Sequence, residues 1–320
     1  MSYKVVFLFS GQGSQRRGMG KSLFEKNDVF RKAINECDQL VKDQLHRSII
    51  DELYFNEDPV WNDLLTTHVS IVAVEIAMYK VLESLSIVPD FISGKSLGEF
   101  AAGVASGLWN IENAITTCIE QAKSLKQENI KGGMITVLEE RELIEPIYKN
   151  YNLFLASDNF KSCFTLSGLE DDISLFQKVL GENKISYFRL PVQTPFHSPL
   201  IENAKHTFLH NTIGLSDFET PKVQFLSGNE SKQVERIPYD YFWSAISKYN
   251  NSIETTNYLE NYGPCIYIDL GPSGTSANFV KYNLSANSSS LCFNIMSPYN
   301  KELKQLDRIV DCIRKDFKLN

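Results

Sequence analysis

Residues 94–98 read Gly-Lys-Ser-Leu-Gly, a serine set between two glycines. A short apolar run with a proline break (residues 88–93) precedes them, and an alanine-rich helical stretch (residues 100–105) follows. A strand that turns directly into a helix constrains a chain severely. The turn is tight enough that the residues flanking the serine must be small, and its strain holds the serine Oγ exposed. The helix N-terminus behind it favours negative charge as an oxyanion develops. Ser96 is therefore the candidate nucleophile, and the Leu97 N–H is its natural oxyanion donor. A serine that only capped the helix at Phe100 would not require both glycines.

The remaining pattern fits an α/β frame. A first strand, Val5 to Phe9, runs into Gly11-Gln12-Gly13-Ser14-Gln15, where glycine permits a tight turn and close backbone approach to a ligand. Helical periodicity covers 28–41, 66–85 and 111–127. The middle of the chain reads as strand 133–138, helix 139–150, strands 153–156 and 163–167 around a polar turn at 158–162, helix 171–180 and strand 185–190. That β-α-β-β-α-β order predicts a ferredoxin-like subdomain at 131–195. It would be inserted into a larger α/β domain formed by 1–130 and 196–320. Late strands at 223–226 and 265–270 belong to the large domain. The second runs into Gly271-Pro272-Ser273-Gly274, at a strand's carboxyl end, where ligand sites in open α/β sheets collect.

A serine nucleophile needs a base, and the histidines are His46, His68, His197, His206 and His210. His197 lies in Pro195-Phe196-His197-Ser198-Pro199, a loop stiffened by two prolines that could hold an imidazole in place. His206 and His210 share one face of a helical stretch, where solvation explains them, and further ligands for a metal centre are lacking. His46 reads as a surface residue and His68 as packing. The six cysteines are scattered without a CxxC pair, which argues against a zinc site or disulfide framework and for reduced thiols in the cytoplasm. Cys118 and Cys163 sit in apolar periodic segments and read as core. With a formal net charge of −7, general nucleic-acid binding is disfavoured. No membrane span is expected, since no segment reaches the ~20 uninterrupted apolar residues one requires. An acidic partner would need a local positive patch, to which Arg16, Arg17 and Lys21 could contribute.

Taken together these segments resemble the malonyl-CoA:acyl-carrier-protein transacylases and the acyltransferases of polyketide synthases. Residues 9–15 are similar to that family's GQGSQ loop, 94–99 to its G-H-S-L-G-E motif, 195–198 to its histidine loop and 268–272 to its C-terminal glycine turn. The motifs come in the family's order and span almost the whole chain. The resemblance implies an α/β-hydrolase-like large domain carrying a ferredoxin-like small subdomain. It implies that Ser96 attacks a thioester carbonyl and that His197 takes its proton and later activates the acceptor. The histidine would be oriented by a backbone carbonyl, so no acid completes a triad. Gln12 would give the second oxyanion N–H beside Leu97, and Asn159, expected in the small subdomain's turn, would lie near the substrate. No cofactor is implied, since the acyl group arrives as a phosphopantetheine thioester on acyl carrier protein domains. A monomer is expected.

Two departures from the family bear on substrate. Carboxyacyl-selective members place an arginine on a helix after the nucleophile, where it pairs with the free carboxylate of malonyl. The corresponding position here is Gln121. A glutamine cannot neutralise that charge, and a desolvated unpaired carboxylate costs roughly 3–5 kcal/mol, about two to four powers of ten in specificity. Lys123 and Lys126 point elsewhere around the helix. The second departure is Lys95 in place of histidine. Its ammonium could favour the alkoxide or oxyanion, reach a phosphate or acidic partner, or point to solvent. The resemblance thus runs to the acyl-hydrolase branch of trans-acyltransferase polyketide systems, which clears acyl groups from carrier proteins. An acyltransferase for a non-carboxylated acyl group and a non-catalytic docking protein are the alternatives.

Overall fold

The computed structural model describes residues 3–58, 61–215 and 217–316. Its large sheet contains β1 (Lys4–Phe9), β2 (Phe91–Gly94), β7 (Gln224–Ser227), β8 (Lys232–Gln233), β10 (Cys265–Asp269) and β11 (Leu291–Asn294). The order is β11-β10-β1-β2-β7-β8, parallel except for the β7–β8 pair at one edge. β1 and β10 are buried along almost their whole length, as strands covered on both faces must be.

The helix Leu64–Ser84 is apolar nearly all round because it packs against the helices Asp28–Leu45, Gly98–Ser106 and Ile111–Glu128. By length and composition it could cross a membrane, but 78% of its most apolar window is buried inside the fold, as a central core helix requires.

The small sheet contains β3 (Gly132–Val137), β4 (Phe154–Phe160), β5 (Cys163–Leu169), β6 (Tyr187–Arg189) and β9 (Asn250–Asn251), in the order β6-β3-β5-β4-β9. With the helices Arg141–Tyr148 and Glu170–Glu182 it gives the β-α-β-β-α-β order expected of a ferredoxin-like unit. Alternation along the strands separates its two faces. Ile135, Val137, Phe164 and Leu166 meet Ile144, Ile173, Phe176 and Leu180 of the helices in a separate small core. Thr136 and Thr165, paired directly across β3 and β5, lie on the other face. The fifth strand, β9, comes from outside residues 131–195 and joins β4 in parallel at Ser157 and Asp158.

One expectation is corrected here. The polar run 158–162 is not all turn, because β4 continues to Phe160 and places Asn159 within the strand. Ser, Asp and Asn mark turns when their side chains bond locally. Here they find tertiary partners. Asp158 pairs with Arg141 and accepts from Tyr249 Oη at 2.6 Å, while Ser157 and Asn159 bond to each other at 3.0 Å. Register shifts at Leu155/Ser157 and Asp158/Phe160 accommodate the irregular pairing.

Candidate active site

β2 ends at Gly94 and the helix Gly98–Ser106 begins four residues later, with Ser96 between them at φ 55. A non-glycine residue there is strained, and such strain marks functional turns. The turn is held by Lys95 N–H donating to Phe9 O at 2.9 Å and by Gly98 N–H donating to Lys95 O at 3.0 Å. The flanking glycines are steric requirements. A Cβ on Gly94 would stand 2.5 Å from Glu99 Cα, and one on Gly98 would stand 2.5 Å from Phe9 O. Gly11 presses on the same turn, its own Cβ position lying 3.4 Å from Leu97 N. The loop carrying Gln12 is thereby held against the start of the helix, and among the described residues neither the Gln12 nor the Leu97 N–H goes to a backbone carbonyl.

His197 also has a positive φ, 56°, and its N–H donates to Ile246 O at 2.8 Å. Its Nε2 lies 2.8 Å from Ser96 Oγ, and its Nδ1 lies 2.5 Å from Lys248 O. A carbonyl only accepts, so Nδ1 carries the proton and Nε2 presents its lone pair to the serine hydroxyl. Asn250 Nδ2 steadies the same carbonyl at 3.2 Å. Burial pushes His197 down to about 4; the Lys248 carbonyl works against that shift and the charge of Lys95 adds to it. The ring is therefore neutral at neutral pH, as a base must be. Lys248 and Asn250 were invisible in the sequence, since neither belongs to a local motif and only the chain's return at β9 brings them in.

Lys95 does not point to solvent. Its Nζ lies 2.5 Å from Asn159 Oδ1, 3.3 Å from Ser252 Oγ and 4.6 Å from the centre of the Phe279 ring. Burial brings its amine down to about 8, with Cys163 and Asp158 opposing. Ser96, His197, Gln12, Lys95 and Asn159 share a cleft of about 150 Å³, bounded also by Met134, Thr136, Thr165, Leu190, Phe196 and Phe279. Gln12 Nε2 donates to Thr67 Oγ1 at 3.0 Å, whereas its Oε1 is buried without a partner among the described residues.

Gln121 is not brought into the lining of that cleft. It is fully buried on the helix Ile111–Glu128, where Nε2 donates to Phe242 O at 2.8 Å and Oε1 has no partner among the described residues. Lys123 pairs with Glu120, and Lys126 pairs with Asp63. His68 is fully buried with its ring 5.6 Å from that of Phe196, and burial lowers it to about 3. Of the three residues that could contribute to a positive patch, Lys21 is exposed and the two arginines are used internally. Arg16 binds Glu302 and Ser297 O, and Arg17 binds Glu52 beneath the Trp61 ring. Cys118 and Cys163 are buried; His46, His206 and His210 are exposed. No cluster of three potential metal ligands occurs among the described residues.

The acyl transferase domain family matches residues 6–260, most of the chain. The chain belongs to the acyltransferase family. This acyltransferase is 36% identical over 314 residues to the polyketide biosynthesis acyltransferase homolog PksD of Bacillus subtilis, covering 97% of this chain and 96% of that one. It is 33% identical over 319 residues to the homolog BaeD of Bacillus velezensis, covering 98% of each. Its fold is that of the avermectin synthase loading acyltransferase, with a TM-score of 0.87 at 19% identity over 95% of this chain and 99% of the other. MCAT of Streptococcus pneumoniae gives 0.81 at 22% identity over 96% and 99%. The fold class expected from the sequence, a large α/β-hydrolase-like domain with a ferredoxin-like small one, is therefore the one present.

Proposed function

We propose that this acyltransferase-family enzyme hydrolyses acyl thioesters carried on acyl carrier protein, acting on non-carboxylated acyl groups in polyketide biosynthesis. The observation that carries the proposal is a complete serine–histidine pair, 2.8 Å apart, in a chain whose carboxylate-pairing position holds the neutral, internally bonded Gln121. Ser96 Oγ attacks the thioester carbonyl while His197 Nε2 takes its proton. The N–H groups of Gln12 and Leu97 receive the oxyanion. The proton passes to the departing phosphopantetheine thiolate, leaving acyl-Ser96. Water then attacks the ester carbonyl as His197 takes a proton from it. That proton returns to Ser96 Oγ, and the free acid leaves. No step calls for a cofactor. The partner is a carrier protein of a polyketide synthase, and the enzyme works as a cytoplasmic monomer.

The test is to offer acetyl- and malonyl-loaded carrier protein and measure free acid. Acetyl should turn over at least ~100-fold faster, from the cost of an unpaired carboxylate; faster turnover of malonyl would refute the proposal. A second reading, transfer of a non-carboxylated acyl group to another carrier thiol, draws support from the acyltransferase names of the relatives. Partition of acyl-Ser96 between water and holo carrier protein separates the two. An idle docking role is disfavoured, because the strained φ at both Ser96 and His197 would have no use in it.

A further inference from the structure

One wall of the cleft carries a row of hydrogen bonds across three strands. It begins at Lys95, whose ammonium can only donate, so the atom of Asn159 it meets must be the carbonyl oxygen. Ser157 Oγ donates to the same oxygen at 3.0 Å. The amide orientation of Asn159 is thereby fixed, and its Nδ2 faces Thr165 Oγ1 at 3.0 Å and Cys163 Sγ at 3.6 Å. Thr165 Oγ1 accepts that bond and lies 3.0 Å from Thr136 Oγ1, where either hydroxyl can donate; with Thr165 as the donor the row runs on in one direction. Thr136 then keeps a hydroxyl donor of its own, and it is half-buried and lines the cleft. A chain of bonds starting at a cation polarises each link in the same direction. The final hydroxyl is thus a strengthened donor offered to whatever fills the cleft.

Resting on the hydrolase reading above, we propose that the row Lys95–Asn159–Thr165–Thr136 determines the acceptor: it anchors water in the cleft once the carrier thiol has left, committing acyl-Ser96 to hydrolysis. Two observations favour water as the group held. The terminal group is a single donor suited to one acceptor oxygen, and the same cleft contains Ser96 Oγ and His197. The bonds made and broken are those of ordinary ester hydrolysis. Water oxygen bonds to the acyl carbon, its proton goes to His197 Nε2, and Ser96 Oγ departs with that proton.

The experiment loads Ser96 with an acetyl group and measures free acetate against acetyl-N-acetylcysteamine formed from an excess of N-acetylcysteamine. Thr136→Val keeps the shape and removes the terminal donor. It should slow hydrolysis about tenfold, as loss of one good hydrogen bond implies, and leave the rate of Ser96 acylation unchanged. The partition should therefore move about tenfold toward the thioester, and Thr136→Ser should restore it. Lys95→Met removes the charge at the head of the row and should move the partition the same way, which keeps the idea testable if Thr136→Val does not fold. An unchanged partition in folded variants would overturn this inference. A wild-type enzyme that releases no acetate at all would instead refute the hydrolase reading on which it rests.

Discussion

The acid limb of the pH–rate profile tests the site most directly. A free imidazole titrates near 6.5, whereas burial and the charge of Lys95 bring His197 down to about 4. The base acts when neutral. At pH 5 an ordinary histidine would be only about 3% neutral, whereas one titrating near 4 would be about 90% neutral, roughly a thirtyfold difference in active base. The rate of Ser96 acylation by an activated acyl ester, followed by rapid quench and intact mass after a pH jump, should therefore be flat from neutrality to about pH 5 and half-lost near pH 4. Lys95→Met removes one of the causes of the depression, so its midpoint should lie above that of the wild type. A wild-type midpoint near 6.5 would refute the geometry, because it would mean that the imidazole is not enclosed between Ser96 and the Lys248 carbonyl. Kinetics are needed because stability responds to several groups of opposite sign. The depressed histidine makes the fold less stable as pH falls from about 6.5 to about 4, where only the unfolded chain takes up the proton. Glu99 and Asp269, raised by burial to about 8 and about 6, act the other way, stabilising the fold as they protonate.

Other expectations can be checked together. Ser96→Ala should abolish the acyl adduct in intact-mass spectra, and His197→Gln should lower the acylation rate by about 10²–10⁴, each without a large change in Tm. Gln121→Arg should lower Tm, because the larger cation replaces an amide bonded to Phe242 O in a fully buried position. Gly98→Ala should abolish soluble, active enzyme, since its methyl would meet the Phe9 carbonyl at 2.5 Å and neither backbone can move independently of the sheet.

The sequence by itself determined the turn around Ser96 and the α/β frame, and it singled out Ser96 as the candidate nucleophile. These rest on short-range rules: glycines where no Cβ fits, strand and helix periods, and prolines that stiffen a loop. Ser96, His197 and the two glycines were legible because each sits inside its own motif. The ferredoxin-like order was legible because successive elements alternate in period. Three features were left to the tertiary structure. Asn159 reads as turn-forming and is a strand residue, because distant partners satisfy the polar groups that would otherwise bond locally. The carbonyl that orients His197 belongs to Lys248, fifty-one residues away. It could not be found from residue type, since every residue has a carbonyl and only β9 joining β4 brings this one into place. Lys95 admitted three fates in the sequence, and packing chose one of them, a partly covered ammonium feeding a row of hydrogen bonds across the small sheet. Local chemistry set which groups could react, and the long-range pairing of the two sheets set what surrounds them.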